Sequence, residues 1–491
     1  MGNASQKIPQ VAVIGGGIAG LAAAHRLVEL SPQSQVTLFE ASPRLGGVLS
    51  TVHEDGFQVE QSADNFITTV PWAVNLCRRL GLIDQLVQTN PAYRRTFVVH
   101  RGKLCQLPDG FLMMAPTRLW PLAITPILSP LGKLRAAVEY FIPPRQDEAD
   151  ESMAAFVRRR LGREAFDRLV EPLVSAVYAA DLEKLSVLAT LARFREMERD
   201  HGSLIRAMRQ QIRNRPKTGG ESGARYSMFV TLRDGLSSLV AALAAKLPAN
   251  SVKLSAPVRR IEQLPSGEWR VEAETAEKGQ QGTADDRSVS RPPFHFDAVI
   301  VATPSPVAAR LLEPLDGALA ADLASITHSG TAILSLGFRD EQIGHPLDGM
   351  GAVIPAVENS PILAISFSSR KYTHRVSEGK SLLRVFVGGA RRPELAMKDD
   401  HELRPLVLSE IARLLKITGE PCYSNLARWP GTMPQYHVGH KELVGRIEGR
   451  AANLSGLQLA GNAYHGVGIP DCIHGGELAA ERIIEGLEAS S

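Results

Sequence analysis

The sequence predicts an α/β fold, and three observations predict it. An apolar β-branched run leads into a glycine-rich turn and a helix, a second strand ends in a carboxylate, and similar strands return near residues 298 and 457. Val11 to Ile14 reads as a strand buried on both faces of a parallel sheet. Gly15, Gly17 and Gly20 follow at G-x-G-x-x-G spacing. The first glycine admits a tight turn, the second lets backbone approach a pyrophosphate, and the third lets the helix pack closely on the strand. The helix N-terminus then presents free N–H groups to an anion. Glu40 lies twenty positions past Gly20, at the end of the strand Val36 to Phe39, where a carboxylate accepts from ribose hydroxyls. A Rossmann-like nucleotide-binding domain follows, with Gly15, Gly16, Gly17, Ile18, Ala19, Gly20, Glu40 and Ala41 as its expected contacts.

Arg44, Gly46 and Gly47 complete the pattern E-x-x-x-R-x-G-G, which resembles the extended FAD fingerprint of the amine-oxidase and phytoene-desaturase group of flavoproteins. The resemblance implies FAD as cofactor, with the backbone of Gly47 beside the pyrophosphate and Arg44 adding positive charge there.

The chain has 491 residues, enough for two or three domains sharing large cores. A formal net charge of +3 gives no argument for nucleic acid, and none is expected as a partner. Cys77, Cys105, Cys422 and Cys472 are widely spaced with no C-x-x-C pair, which points to a reducing compartment without a disulfide framework or structural zinc. Neither a secretory signal nor an arginine-rich presequence is expected from the polar residues ahead of the first strand. The most apolar segment, Leu119 to Leu131, contains three prolines and is shorter than the roughly 20 residues a membrane span needs. The expected location is cytoplasmic, with peripheral membrane contact left open.

Along the chain, residues 1–88 form the first part of the FAD-binding domain and 89–110 a hairpin of the substrate domain. Residues 111–218 read as a helical subdomain, with helices over Leu131 to Ile142 and Asp150 to Tyr178, the latter capped by Ser152. The basic run Arg206, Arg209, Arg213, Arg215 and Lys217 is either a solvated face or a surface for anionic lipid. Residues 219–304 return to the FAD domain through a loop (219–225), a helix over Thr231 to Leu247 and strands between 251 and 272. A polar stretch from Ala273 to Pro293 is expected to be a disordered loop, and Ala298 to Val301 a buried strand. Residues 305–444 are assigned to a mixed-sheet substrate domain and 445–491 to a third part of the FAD domain.

Further segments resemble the protoporphyrinogen oxidase family of heme biosynthesis. VYAADLEKLS (Val177 to Ser186) is similar to its VYAGD-x-x-x-LS, FSSRKY (Phe367 to Tyr372) with VGG (Val387 to Gly389) to its FSS-x-x-F and IGG. RWPGTMPQYHVGH (Arg428 to His440) and AGNAYHGVGIPDCI (Ala460 to Ile473) resemble the two motifs that close these chains. The resemblance implies further FAD contacts at the backbone of Val258, at Trp429, at Gly461 and at Val467, Gly468 and Ile469. It implies substrate contacts at Arg95, pairing with a propionate, and at Tyr372, in place of an aromatic that packs on a pyrrole ring. Two departures stand out: Ser62-Ala63 replaces a glycine-proline near the flavin, and Ala180 replaces the glycine of VYAGD.

The implied reaction removes hydrogen from protoporphyrinogen IX or coproporphyrinogen III in three two-electron steps, with dioxygen reoxidising FAD. The helix beginning near Ile469-Pro470 points N–H groups at the flavin, and no side chain is assigned as catalytic acid or base. His465 and His474 read as structural, and Cys472 as packed rather than linked to flavin. The competing readings are an FAD-dependent amine oxidase or carotenoid desaturase, and a flavoprotein without catalysis. Oligomeric state stays open between monomer and homodimer.

Overall fold

The computed structural model describes residues 8–213, 228–274 and 293–489. The loop expected at 219–225, most of the stretch from 273 to 293, and Arg215 and Lys217 lie outside the described residues.

Five parallel strands form the first sheet, in the order Val252–Lys253, Gln35–Phe39, Gln10–Ile14, Ala298–Val301 and Leu457–Leu459. Val11, Ala12 and Val13 have no exposed surface, because layers cover both faces of the sheet. On one face lie the helices Ile18–Leu30 and Ile469–Ala489. They approach so closely that a Cβ on Gly476 would stand 2.1 Å from the Ala19 carbonyl oxygen. Against the other face pack Trp269, Leu312, Leu323 and Ile447.

The second sheet has seven strands: Tyr423–Pro434, His328–Arg339, Lys380–Gly388, Ile362–Phe367, Gly349–Val353, Arg95–His100 and Lys103–Gln106. All neighbours are antiparallel except Gly349–Val353 and Arg95–His100. The register sets Thr96, Gly351, Ser366, Arg384, Ser335 and Asn425 in one row across the sheet. Leu334, Leu336, Leu383 and Val385 alternate with that row and pack on the helix Asp400–Leu415 through Val407, Ile411 and Leu415. The opposite face, with Arg384 and Phe386, meets the segment that follows the strand Phe57–Glu60 and the helical subdomain.

Three helices differ from expectation. Asp150 to Tyr178 is interrupted: a helix Met153–Leu161 ends at Gly162 (φ 91°), followed by Arg163–Ala165, a π-turn Phe166–Val170 and a helix Glu171–Tyr178. Only glycine adopts that φ at no steric cost, so the chain can turn there without breaking the apolar period. Ser152 does cap the first segment, accepting from the Ala155 N–H at 3.2 Å. In place of a helix from Thr231 to Leu247, a strand Phe229–Leu232 and a helix Ser237–Ala244 are separated by Asp234-Gly235, where Gly235 has φ 87°. The segment Leu131 to Ile142 is helical over Pro130–Ala137 and tightens to a 3-10 turn at Val138–Phe141.

Candidate active site

The glycine turn is built from backbone. Gly15 has φ 111°, and a Cβ there would stand 2.6 Å from the Ala302 carbonyl oxygen. A Cβ on Gly20 would stand 1.9 Å from the Gly15 carbonyl oxygen, which is why the helix can sit directly on the turn. At Gly17 the outcome is opposite: a Cβ would meet nothing within 4 Å, so this face is open to a ligand. Gly17 is also the N-cap of the helix containing Ile18 and Ala19, and no side chain caps it. The helix therefore keeps its first N–H groups for an anion.

Glu40 accepts from the Gly16 N–H at 2.6 Å and from the Ser42 N–H at 2.8 Å, one bond to each carboxylate oxygen. Each oxygen keeps a lone pair for ribose. The Gly46 N–H donates to the Gly16 carbonyl at 2.8 Å, which brings Gly47 within 3.2 Å of the Gly17 Cα, measured from the position of an added Cβ. Arg44 donates to the carbonyls of Gly47 (2.6 Å), Leu49 (3.1 Å) and Leu45 (3.2 Å), so its guanidinium shapes this loop as well as charging it. Ala41 lies between Glu40 and Ser42, whose backbone pairs with Lys253, Ser255 and Ala256, and Val258, two residues on, packs on the cluster that contains Phe39.

The far end of the cradle comes from the C-terminal part of the chain. Gly461 has φ 134° and lies against Thr303, whose buried hydroxyl has no hydrogen-bond partner. Val467 and Gly468 lead into the helix Ile469–Ala489, with Pro470 in its first turn. An open glycine face, an uncapped helix N-terminus and an orphaned hydroxyl all fit a dinucleotide running from Glu40 toward Ile469. Trp429 donates from Nε1 to the Gln61 carbonyl at 2.6 Å and joins the second sheet to this end.

The segments that carry the family resemblance converge here. The Tyr436 hydroxyl donates to the Asn462 carbonyl (2.6 Å) and accepts from the Gly466 N–H (2.9 Å), holding the loop before the closing helix. Burial pushes its phenol well above the usual value, so the donor stays protonated. Its ring stacks on His440 at 3.9 Å, and burial drops the His440 imidazole to about 4, keeping it neutral. The Tyr436 carbonyl accepts from the Ser186 N–H at 2.8 Å. Gln435 donates to Ser329 Oγ at 2.9 Å, and Ser329 donates to the Ala179 carbonyl at 3.1 Å. Ala390, one residue past the VGG segment, donates to the same Ala179 carbonyl at 2.8 Å.

The substrate assignments, Arg95 and Tyr372, lie away from this convergence. Arg95 lies on the same face of its strand as Phe97 and Val99, which pack under the helix Asp400–Leu415. It is half exposed and paired with Asp348, so the structure sets it off the face that carries Arg384. The reason is the two-residue strand period: Thr96, not Arg95, shares the Arg384 row. Tyr372 is 1% exposed, with its ring 5.9 Å from Lys371 Nζ and 5.5 Å from the Arg375 guanidinium. His474 stacks on Trp72 at 4.0 Å and His465 pairs with Glu448 at 2.7 Å, structural roles for both. Cys472 is buried, which pushes its thiol up to about 12.

Sequence reasoning missed a buried ionic cluster between the 57–66 segment and the second sheet. Arg375 donates to Glu60 (2.8 Å) and Thr231 (2.9 Å). Asp64 lies 3.1 Å from Lys371 Nζ and 3.3 Å from the Arg384 guanidinium, which also donates to the Ser62 carbonyl. Lys371, with Arg384 and Arg375 behind it, outweighs burial and holds the Asp64 carboxyl at about 2. The only local signals were Asp64 itself and the cations in SRKYTHR.

Comparison with known proteins agrees with this geometry. The family model for flavin containing amine oxidoreductases matches residues 18–484. Coproporphyrinogen III oxidase of Bacillus subtilis (strain 168) is 34% identical, with 96% of each chain covered. Chloroplastic protoporphyrinogen oxidase of Nicotiana tabacum is 30% identical over 96% of this chain and 84% of its own. A crystal structure from Exiguobacterium sp. 255-15 superposes with a TM-score of 0.85 at 29% identity, covering 98% of this chain and 99% of that one. The chain belongs to the flavin-containing amine oxidoreductase family, and within it to the group of the coproporphyrinogen III and protoporphyrinogen oxidases. The flavin expected from the glycine motifs is the family's own cofactor.

Proposed function

We propose that this chain oxidises a porphyrinogen to the porphyrin, in heme biosynthesis, with FAD bound and dioxygen as the final acceptor. The observation that carries the reading is the meeting of the 177–186, 428–440 and 460–473 segments around Tyr436, beside the N-terminus of the closing helix, with Ala390, just past 387–389, bonded to Ala179. FAD, when bound, accepts hydrogen from the substrate, and the protein supplies position and electrostatics. Gly15 to Gly20, Glu40, Ala41, Arg44, Gly47 and Val258 would hold its nucleotide half. Trp429, Gly461, Val467, Gly468 and Ile469, at the N-terminus of the closing helix, would hold its flavin half. Proton loss from the substrate goes to water, and no side-chain base is assigned.

The test is to purify the protein, record its flavin spectrum, and follow porphyrin fluorescence with coproporphyrinogen III and protoporphyrinogen IX in parallel. Bound flavin, oxygen uptake and a fluorescence rise on either substrate are expected. Bound flavin with no rise on either overturns the assignment.

The site of contact with a membrane, in this reading, is the outer face of the helical subdomain. Trp120 (73% exposed), Ile124 (61%), Leu131 (78%), Leu134 (63%) and Phe141 (77%) are exposed on the helices Leu119–Ile124 and Pro130–Ala137 and the turn Val138–Phe141. Lys133 and Arg209 line the same groove as Phe141, an apolar surface rimmed by cations that fits an anionic lipid interface. Among the described residues no helix is long and apolar enough to cross a membrane. Co-sedimentation with phosphatidylglycerol vesicles, lost in Trp120→Ser, checks this.

A further inference from the structure

The ionic cluster at the sheet centre holds three cations, Lys371, Arg375 and Arg384, and two carboxylates, Glu60 and Asp64. One positive charge is left over in a region where Glu60, Arg375 and Arg384 are each no more than 2% exposed. His374, the neighbouring imidazole, does not change the balance: burial drops it to about 4 and leaves it neutral. Buried charge that is not matched is costly, and proteins keep it where a ligand completes the pairing.

The donors say where that ligand stands. Arg375 is spent on Glu60, Thr231 and the Asp64 carbonyl. Arg384 uses its terminal nitrogens on Asp64 and Ser62, but its buried Nε has no partner, and neither does the buried Ser62 hydroxyl beside it. Lys371 carries three donors, and Asp64 is its one anionic partner among the described residues. Its side chain is 17% exposed, so it is the cation a ligand can reach from outside. The three cations come from the second sheet and the segment beside it, whereas the cofactor's positive ends are the N-termini of the helices Ile18–Leu30 and Ile469–Ala489. Trp429, through Gln61, sets Ser62 and Asp64 directly after the point where the cradle and the sheet meet.

We propose that Lys371, with the buried Arg384 adding positive charge behind it, binds a carboxylate of the substrate, and that this contact favours porphyrinogens carrying four carboxylates over those carrying two. Asp64 is a positioning residue: it holds the two cations side by side without neutralising both. The proposal rests on the porphyrinogen reading above.

The experiment uses Lys371→Met and Lys371→Gln holoenzymes, with Lys371→Arg as the charge-conserving control. For each, KM and kcat are measured with coproporphyrinogen III (four carboxylates) and protoporphyrinogen IX (two), beside flavin content and the Kd for coproporphyrin III. The expected result is a rise of about tenfold in KM and Kd for the tetracarboxylate, corresponding to one charge-assisted contact. The rise for the dicarboxylate is threefold or less, kcat and flavin content hold, and Lys371→Arg recovers most of the loss. Equal rises for both substrates, an effect in kcat alone, or no change in flavin-loaded variants overturns the proposal while the wild type stays active. A wild type that oxidises neither substrate sinks the function reading itself, and this inference with it.

Discussion

The cofactor cradle and the ionic cluster are two binding regions made by opposite means. The cradle is backbone: Gly15, Gly17 and Gly20 work because they lack a Cβ, and the ligand-facing donors are peptide N–H groups fixed by helix geometry. The cluster is side chain: Lys371, Arg375 and Arg384 come from elements hundreds of residues away from Glu60 and Asp64 and meet only when the second sheet closes on the first domain. A backbone site is local and is written in residue spacing. A side-chain site of this kind is written only in tertiary structure, and its energy lies in pairing buried charge.

The contrast can be broken by mutation. Asp64→Asn removes the carboxylate shared by Lys371 and Arg384 and is expected to cost roughly 3–5 kcal/mol, read as the urea unfolding midpoint. The wild-type carboxyl is held at about 2 against its ordinary 3.8. Its folded value is the lower one, so its contribution is complete above pH 3.8 and is lost as pH falls toward 2. Asp64→Asn should lack that acid-side loss; an identical acid profile would show that the cluster is not a paired unit. Gly20→Ala comes next, since its Cβ would overlap the Gly15 carbonyl oxygen. A cost of roughly 1–3 kcal/mol is expected, with flavin lost from the purified protein by its visible absorbance. Full flavin content in that variant would mean the turn yields and the cradle is less rigid than its geometry. The smallest effect belongs to Arg95→Ala, an exposed pair with Asp348 worth about 0–1 kcal/mol. KM for either porphyrinogen should stay the same, and a tenfold rise would return the substrate carboxylate to the sheet edge.

Legibility in the sequence followed the same division. The strands ending at Ile14 and Phe39, the helix after the glycine turn and the strand Ala298–Val301 could be read because strand, turn and helix follow one another within a few residues. The break at Gly162 was hidden because the apolar residues on both sides keep one helical period, and only the positive φ ends the segment. Thr231 and Leu232 looked helical beside Leu236 and Leu239, yet they pair with Val87 and Leu86 as a strand. The decisive signal was Asp234-Gly235, a turn dipeptide inside an apolar run. The register around Arg95 was not legible, because a one-residue ambiguity in a strand exchanges its two faces, and the structure sets Thr96 rather than Arg95 in the row of Arg384. The role of Arg384 had no local sign at all, since its meaning depends on Asp64.

The contact of Gly476 with Ala19 has a consequence for synthesis. The helix that opens the nucleotide domain is made early, and the helix that covers it is made roughly 440 residues later. At ordinary elongation rates that interval is on the order of 20–90 s. Through it the apolar flank formed by Ala19, Ala22 and Ala23 has no partner, and the strand Leu457–Leu459 has yet to join the sheet edge. A newborn chain therefore spends that time with its nucleotide domain incomplete, and the cradle is complete only after the closing helix has emerged.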